Sequence, residues 1–128
     1  MTEVLDGQAT LSVGEAAARV GLTSHTLRWY EQEGLVAPVG RDSAGRRRYT
    51  ERDIGWLVLL TKLRRTGMPV RDMLRYAELA RQGAHTVGER VWLFEEHRDR
   101  VRARIAQLEQ DLSAINDKID HYRKVEQG

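Results

Sequence analysis

The chain has no cysteine among its 128 residues, and it has no long apolar run. Disulfides, thiolate metal ligands and cysteine nucleophiles are therefore excluded. No stretch approaches the roughly 20 apolar residues of a membrane-spanning helix, and the first residues lack the basic start of a signal peptide. We expect a cytoplasmic protein that has no membrane partner.

The sequence also lacks the short motifs that carry most enzymatic chemistry. We find no phosphate-binding glycine loop, no nucleophile elbow and no zinc motif. Three histidines, His85, His97 and His121, lie near carboxylates in the last third, but ordinary surface histidines are the favoured interpretation. We therefore predict no enzyme, no metal site and no cofactor.

Charge is distributed unevenly along a chain whose formal net charge is only +2. Residues 1–75 carry 12 basic and 9 acidic side chains, whereas residues 76–128 carry 9 basic and 10 acidic ones. A modest basic excess in the first half would serve as an electrostatic footprint on nucleic acid. The length corresponds to about one domain.

Residues 11–34 have the pattern of a helix-turn-helix. Gly21 suits the left-handed conformation that ends a first helix, and Thr23 is a good N-cap for a second helix over 24–33. Gly34 then stands where a glycine commonly follows a helix. A short helix, a glycine turn and a second helix are typical of DNA-binding motifs.

The second helix of this motif has two different faces. Leu27 and Tyr30 can share an inner face, at helical spacing. The residues that can point outward are Ser24, His25, Arg28 and Trp29. Hydrogen-bonding and cationic groups near a helix N-terminus suit the major groove of DNA, although an ordinary solvated surface helix is the alternative.

A polar hairpin with a run of arginines follows the helix-turn-helix. Residues 36–49 contain two short extended pieces separated by a turn, and Arg46, Arg47 and Arg48 lie on the returning side. Such a run is often a solubilising charged turn. Beside a helix-turn-helix, it favours a wing of two short strands that grips phosphates.

The next two helices are predicted from their apolar content and their boundaries. The helix over 51–66 starts at a capping-box-like sequence and is strongly apolar, so it belongs to the core. Gly67 and Pro69 separate it from a helix over 70–82. Both helices complete the head of the molecule.

The last third contains an unbroken heptad repeat, with steps that alternate between 4 and 3 residues. Its members are Val87, Val91, Phe94, Arg98, Val101, Ile105, Leu108, Leu112, Ile115, Ile119 and Tyr122. One helix cannot bury such a seam in water, and no second long helix exists to pair with it. The pattern predicts a homodimeric coiled coil over 85–123, about 54 Å long from Val87 to Tyr122.

Five stretches, taken in order, resemble the MerR family of transcription regulators. They are Leu11-Ser-Val-Gly-Glu-Ala-Ala, Gly21-Leu-Thr-Ser-His-Thr-Leu-Arg-Trp-Tyr-Glu, Glu33-Gly-Leu-Val, Arg46-Arg-Arg-Tyr-Thr-Glu-Arg-Asp-Ile and Arg65-Thr-Gly-Met-Pro. The resemblance covers about residues 11–82, and the coiled coil is compatible with it. It implies a mainly α fold, with a winged helix-turn-helix head, a short β-hairpin wing, two linking helices and a long C-terminal helix that forms an antiparallel coiled coil.

The same resemblance implies a mechanism of regulation. A homodimer would bind double-stranded promoter DNA with dyad symmetry, in a spacer between two promoter elements. Bending and untwisting of this spacer would control access of RNA polymerase, so that the polymerase is a partner only indirectly, through DNA. The residues identify no inducer. Trp56, Trp92 and Phe94 could hold a small apolar ligand, but ordinary buried aromatic side chains are the favoured interpretation.

Residue roles follow from these patterns and from the resemblance together. We expect the DNA-binding set to be Thr23, Ser24, His25, Thr26, Arg28, Trp29, Tyr30, Arg46, Arg47, Arg48 and Tyr49. The family often has an aromatic residue where this chain has Arg46, and often a tyrosine in place of Trp29. The expected dimerisation set is Val91, Phe94, Val101, Ile105, Leu108, Leu112, Ile115, Ile119 and Tyr122.

The predicted domain layout has four parts. A flexible tail over 1–10 precedes the DNA-binding domain over 11–82, which is followed by the coiled-coil helix over 85–123 and a tail over 124–128. The alternative function is a coiled-coil interaction protein, or an architectural DNA-binding protein without an inducer. A missing salt dependence of DNA binding would favour the interaction protein, since phosphate contacts make affinity fall steeply with salt.

Overall fold

The computed structural model describes residues 9–128, and it is built mainly from α-helices. The helices are α1 (Val13–Val20), α2 (Ser24–Gln32), α3 (Glu51–Arg65), α4 (Val70–Gln82) and α5 (Val87–Gln127), with a 3₁₀ turn at Ala84–Thr86 before α5. The mainly α fold is thus confirmed. Most of the tail that was predicted over 1–10 lies outside the described residues.

The chain divides into two compact units, at Arg90 and Val91. In the first unit, α1 packs against α2 and α3, and α3 packs against α4. The core of this unit is aliphatic, with two tyrosines and two methionines. Its members include Ala16, Ala17, Leu27, Tyr30, Leu35, Tyr49, Ile54, Leu57, Leu60, Met68, Met73 and Leu79.

The start of each of the first three helices is fixed by a side chain. At α1, the Ser12 hydroxyl accepts the backbone N–H of Glu15, and the Glu15 carboxylate accepts the backbone N–H of Ser12 at 2.9 Å. The same reciprocal arrangement joins Thr50 and Asp53 at the start of α3. These two capping boxes satisfy N–H groups that have no partner within the helix.

The wing is where the structure departs most from the predicted elements. Among residues 9–128 it contains no regular strand, only isolated antiparallel bridges between Arg41 and Arg47 and between Leu11 and Tyr49. The two regular strands that were predicted for the wing are therefore not confirmed. Pro38 cannot donate to a β-ladder, and the turn closes immediately after Arg41, so only one residue pair aligns as in a sheet.

The second unit is the part of α5 from Val91 onward, a single continuous helix. No glycine or proline interrupts the chain between residues 89 and 127, so the helix continues to Gln127 rather than stopping at 123. The predicted tail over 124–128 is thereby reduced to the last residue. At the other end, the chain reaches α-helical geometry at Val87, two residues after the predicted start, because the 3₁₀ turn comes first.

Candidate nucleic-acid interface

Helix α2 is oriented by the tight turn that precedes it. Gly21 has φ +74°, and Leu22 donates its N–H to the Ala17 carbonyl at 2.9 Å, which ends α1. The Thr23 hydroxyl oxygen then accepts the N–H of Thr26 at 3.1 Å. A left-handed glycine followed by a side-chain cap reverses the chain within three residues and exposes the first turn of α2.

The two faces of α2 differ in burial as the sequence predicts. Leu27 and Tyr30 are 1% and 4% exposed and fix the helix to the core. Thr23, His25, Arg28 and Trp29 are exposed, and Ser24 and Thr26 are half-buried. The outer face therefore offers hydroxyl, imidazole, guanidinium and indole groups, all of which can hydrogen-bond to base edges or phosphates.

Asp42 organises the turn at the tip of the wing. Its carboxylate accepts the backbone N–H groups of Arg46 and Ala44 at 2.9 and 3.0 Å, and it also accepts the Arg46 Nε–H at 3.0 Å. The backbone hydrogen bond from Arg46, together with the Arg46 guanidinium, holds the pKa of Asp42 below its ordinary value. The Arg46 side chain is nevertheless 77% exposed at this tip.

Arg47 connects the wing to α2, which is the second helix of the helix-turn-helix and the candidate recognition helix. Its Nε lies 2.8 Å from Glu31 Oε2, and the two side chains are 25% and 14% exposed. The ion pair uses Nε, and a guanidinium carries four further N–H donors that a phosphate can accept. Sixteen residues separate the partners, so no local pattern in the sequence reveals Glu31 as a partner of the wing.

Arg48 and Tyr49 have structural surroundings different from those of Arg46. The Arg48 guanidinium donates to the hydroxyl and the carbonyl oxygens of Thr10, both at 2.9 Å. Tyr49 is 2% exposed, and its backbone exchanges two hydrogen bonds with Leu11. These residues fasten the segment before α1 to the base of the wing.

The structure thus sorts the predicted DNA-binding set into three groups. Thr23, His25, Arg28, Trp29 and Arg46 are exposed; Ser24, Thr26, Arg47 and Arg48 are half-buried; and Tyr30 and Tyr49 are buried. Burial raises the pKa of both tyrosines. The two tyrosine rings therefore lie in the core beneath the candidate DNA-binding surface rather than on that surface.

The predicted dimerisation set forms an apolar face along α5. Seven of its nine members are 40% exposed or more: Val91, Ile105, Leu108, Leu112, Ile115, Ile119 and Tyr122. Val101 and Phe94 are half-buried. So much exposed aliphatic surface on one helix is typical of an interaction surface.

An apolar groove of about 570 Å³ lies between α3, α4 and the segment after α2. Trp56 forms part of its wall, stacked on Tyr76 at 5.2 Å, and donates its indole N–H to the Leu35 carbonyl at 2.8 Å. Neither Trp92 nor Phe94 lines this groove. Trp56, Trp92 and Phe94, the three aromatic residues of the candidate ligand site, therefore do not share this groove.

Two negative findings hold for residues 9–128. No group of three or more histidine, aspartate or glutamate side chains is placed to hold a metal ion, and none of the helices is long and apolar enough to cross a membrane. His97, which was expected on the surface, is 7% exposed. His97 directly precedes the seam residue Arg98 and is not itself a member of the heptad seam, so the repeat gives no signal of this burial.

Comparisons with known proteins show which family the chain is similar to. The MerR HTH family regulatory protein model matches residues 11–79. An uncharacterised HTH-type transcriptional regulator from Haemophilus influenzae is 41% identical over 115 residues, which cover 90% of this chain and 85% of that protein.

Two solved structures extend the similarity to three dimensions. One is HiNmlR, described as a MerR family regulator lacking the sensor domain, bound to promoter DNA; it is 41% identical with a TM-score of 0.82, over 90% of this chain and 91% of that one. The other is a putative MerR family transcriptional regulator from Listeria monocytogenes, 31% identical with a TM-score of 0.83, over 88% and 85% of the two chains. The chain belongs to the MerR family of helix-turn-helix transcriptional regulators.

Proposed function

We propose that this regulator binds dyad-symmetric promoter DNA as a homodimer and distorts the promoter spacer to control access of RNA polymerase. The observation that carries the proposal is the pairing of an exposed recognition face on α2 with an arginine wing, joined through Arg47 and Glu31. The bound promoter DNA in the HiNmlR structure supports it. The proposal involves no catalytic step, and it places the protein with the chromosome, in the cytoplasm.

In this proposal, one set of residues contacts the base edges and another set contacts the phosphate backbone of the DNA. His25 and Arg28 lie on the exposed face near the start of α2, where a helix in the major groove brings side chains to base edges. Arginine can donate two parallel hydrogen bonds to guanine, and imidazole can donate or accept. We assign base contacts to His25 and Arg28, with Trp29 beside them.

Phosphate contacts are assigned to the wing and to the start of α2. Arg46 is exposed at the wing tip, and Arg47 is held beside α2 by Glu31. The hydroxyls of Thr23 and Thr26 stand at the positive end of the helix dipole, which favours an anion. These contacts fix the orientation of the head on the duplex but carry no sequence information.

The exposed heptad face supplies the second half of the proposal. Buried against the same face of a second copy, it pairs two heads and matches a DNA site with two equivalent halves. Two heads that are joined by one rod, the coiled coil of the two α5 helices, can bend or untwist the DNA between their half-sites. Smooth bending of a 20–30 base-pair site by 40–90° costs about 1–6 kcal/mol, which the contacts of both heads must supply.

Fluorescence anisotropy with the protein's own upstream DNA tests this assignment. We expect Arg47→Ala to weaken binding on specific and random DNA alike, and to reduce the salt slope by about one per phosphate contact, so about two per dimer. Arg28→Ala should reduce affinity for the operator while leaving random DNA nearly unaffected. Arg71→Ala is the matched control, since that side chain is 86% exposed on α4 and lies outside α2 and the wing.

Two results would contradict the proposal. Operator affinity that does not change with Arg47→Ala would remove the wing from the interface. Binding that does not depend on salt would favour a protein-interaction role for the head, because every phosphate contact releases counterions.

A further inference from the structure

The exposed apolar face of α5 needs a partner, and the helix itself carries information about how that partner aligns. From Val91 to Tyr122 the seam is continuous, and Leu108 is 63% exposed at its centre. This inference rests on the proposed homodimer, whose antiparallel orientation the family resemblance already implies, and goes further, to the register of the two helices. The occupant of the face is a second copy of this chain.

Orientation follows first from the one charged member of the seam. Arg98 occupies a seam position, and its side chain is 48% exposed. In a parallel, in-register pair, Arg98 would face the partner's Arg98 and bring two like charges together inside the interface. An antiparallel pair places each Arg98 against an apolar residue instead, over which its aliphatic stem can lie while the guanidinium reaches water.

Segment charges point to the same orientation. Residues 98–104 carry four arginines and one aspartate, whereas residues 109–120 carry four acidic side chains and one lysine. The basic segment therefore has a net charge of +3 and the acidic segment −3. An antiparallel partner lays each segment along its opposite, while a parallel partner lays each along itself.

The seam permits antiparallel alignments that differ by whole heptads, and the flanking charges distinguish between them. We propose that two ion pairs between the helices fix the register. Arg102 faces the partner's Glu109, Arg104 faces the partner's Asp111, and the dimer axis lies between Ile105 and Leu108. These four residues adjoin the seam, in the positions where coiled coils form cross-helix ion pairs. The two-fold axis doubles the two contacts to four.

In this register every seam residue meets a seam residue of the other copy. Ile105 lies opposite the partner's Leu108, and Val101 opposite the partner's Leu112. Arg98 falls opposite the partner's Ile115, which is the apolar neighbour that its orientation requires. The register thus satisfies the apolar seam and the charges at once.

A slip of one heptad in either direction brings like charges together. One slip places Arg102 against the partner's Arg102 and Arg104 against the partner's Arg104. The opposite slip places Glu109 against the partner's Glu109 and Asp111 against the partner's Asp111. Repulsion on both sides of the preferred alignment is how coiled coils exclude alternative pairings.

Register matters because it sets the distance between the two ends of the rod. In the proposed alignment the two Val91 positions are about 46 Å apart along the coil, at about 1.5 Å per residue. A one-heptad slip changes that distance by about 10 Å. Since DNA rises about 3.4 Å per base pair, such a slip corresponds to about three base pairs of half-site spacing.

Charge reversal in the full chain tests the proposal by sedimentation equilibrium. Arg102→Glu with Arg104→Glu should weaken homodimerisation by about tenfold or more, because four attractive contacts become repulsive. Glu109→Arg with Asp111→Arg should do the same. Mixing the two variants should restore dimerisation as a heterodimer, in which all four contacts pair opposite charges. Arg100→Glu with Lys124→Glu, which changes the net charge equally at positions away from the seam, is the control.

A disulfide measures the register directly, and the chain has no cysteine that would compete. Val101→Cys mixed with Leu112→Cys should form a covalent heterodimer under mild oxidation. Either variant alone should not, because identical positions are offset by about 16 Å along the coil, beyond the span of a disulfide. The register would be overturned if the wild type is a dimer but the two cysteine variants form no mixed cross-link. It would also be overturned if the charge-reversed variants dimerise as tightly as the wild type. A wild-type monomer would instead overturn the proposed homodimer.

Discussion

Removal of the Glu31 carboxylate should loosen the wing from the recognition helix and destabilise the head. The pair is short, 2.8 Å between Nε and Oε2, and its side chains are 25% and 14% exposed. Exposed ion pairs contribute about 0.2–1 kcal/mol, and breaking a buried pair costs about 3–5 kcal/mol. A mostly buried pair with one direct hydrogen bond lies between these limits, so we expect Glu31→Ala to lower the free energy of unfolding by about 1–2 kcal/mol.

A double-mutant cycle isolates the ion pair from other effects of the substitutions. Urea unfolding is measured for the wild type, Glu31→Ala, Arg47→Ala and the double variant, all at one protomer concentration because the chain associates. The coupling energy should be about 1–2 kcal/mol. Arg46→Ala is the control, and it should change stability by about 0.5 kcal/mol or less, because its guanidinium is largely in solvent.

The same variants distinguish two effects on DNA binding: that of the ion pair that positions Arg47, and that of the positive charge of Arg47 itself. Arg47→Ala removes a phosphate contact and should flatten the salt dependence of DNA binding, whereas Glu31→Ala retains every cation and should leave the slope unchanged. A coupling energy below about 0.3 kcal/mol would refute a stabilising role for the Arg47–Glu31 ion pair. Equal salt slopes for the two variants would refute the phosphate contact of Arg47.

Three further predictions concern the supports of this surface. Thr23→Ala should destabilise the head by about 1 kcal/mol, while Thr23→Ser should retain the cap on α2; urea midpoints compare them, and equal loss in both would contradict the cap. Gly34→Ala should cost about 1–2 kcal/mol because φ is +84°, whereas Gly55→Ala, in open space within α3, should stabilise by up to about 1 kcal/mol in the same assay. Changes of the same sign in the free energy of unfolding for Gly34→Ala and Gly55→Ala would contradict this assignment. Asp42 has a lowered pKa, so its contribution to stability is present above its ordinary pKa, near 4, and is lost as pH falls through the lower folded value. Wild-type unfolding at pH 2–6 should show this loss, and Asp42→Asn should show less of it; identical pH profiles would contradict the role of the carboxylate.

The sequence predicts the helices of the head well because side-chain caps and glycines mark their ends. Ser12, Thr23 and Thr50 each cap a helix through a side-chain oxygen, and Gly21 and Gly34 take the left-handed conformation that few other residues accept. These features act within four residues along the chain. A reading of local patterns therefore finds them without knowledge of the tertiary structure.

The wing shows where local reasoning ends. Its arginines are visible as a run, but their partners are a glutamate on α2, an aspartate in the turn and a threonine before α1. Only the fold brings Thr10 and Glu31 to the wing, across 38 and 16 residues of sequence. The polar, turn-rich sequence also predicts two short strands there, whereas the wing contains a single bridging pair, Arg41 and Arg47.

Burial of individual aromatic and titratable residues was the other gap. Helical spacing predicts the buried Tyr30 and the exposed Trp29 on α2, but no pattern marks Tyr49, which was expected to contact DNA and is 2% exposed. His97 is buried within a helix that is otherwise largely exposed. A spacing pattern with several apolar faces does not fix which of these individual side chains is buried.

Hydroxyl-radical footprinting on the DNA upstream of the protein's own coding sequence tests the central claim most directly. Two equivalent heads on one antiparallel rod predict two protected half-sites related by a dyad, with the dyad inside the spacer between the promoter elements. Enhanced cleavage at the centre would mark the distorted base pairs. A single protected site without symmetry, or uniform protection along the fragment, would contradict a dimer that regulates by distorting its promoter.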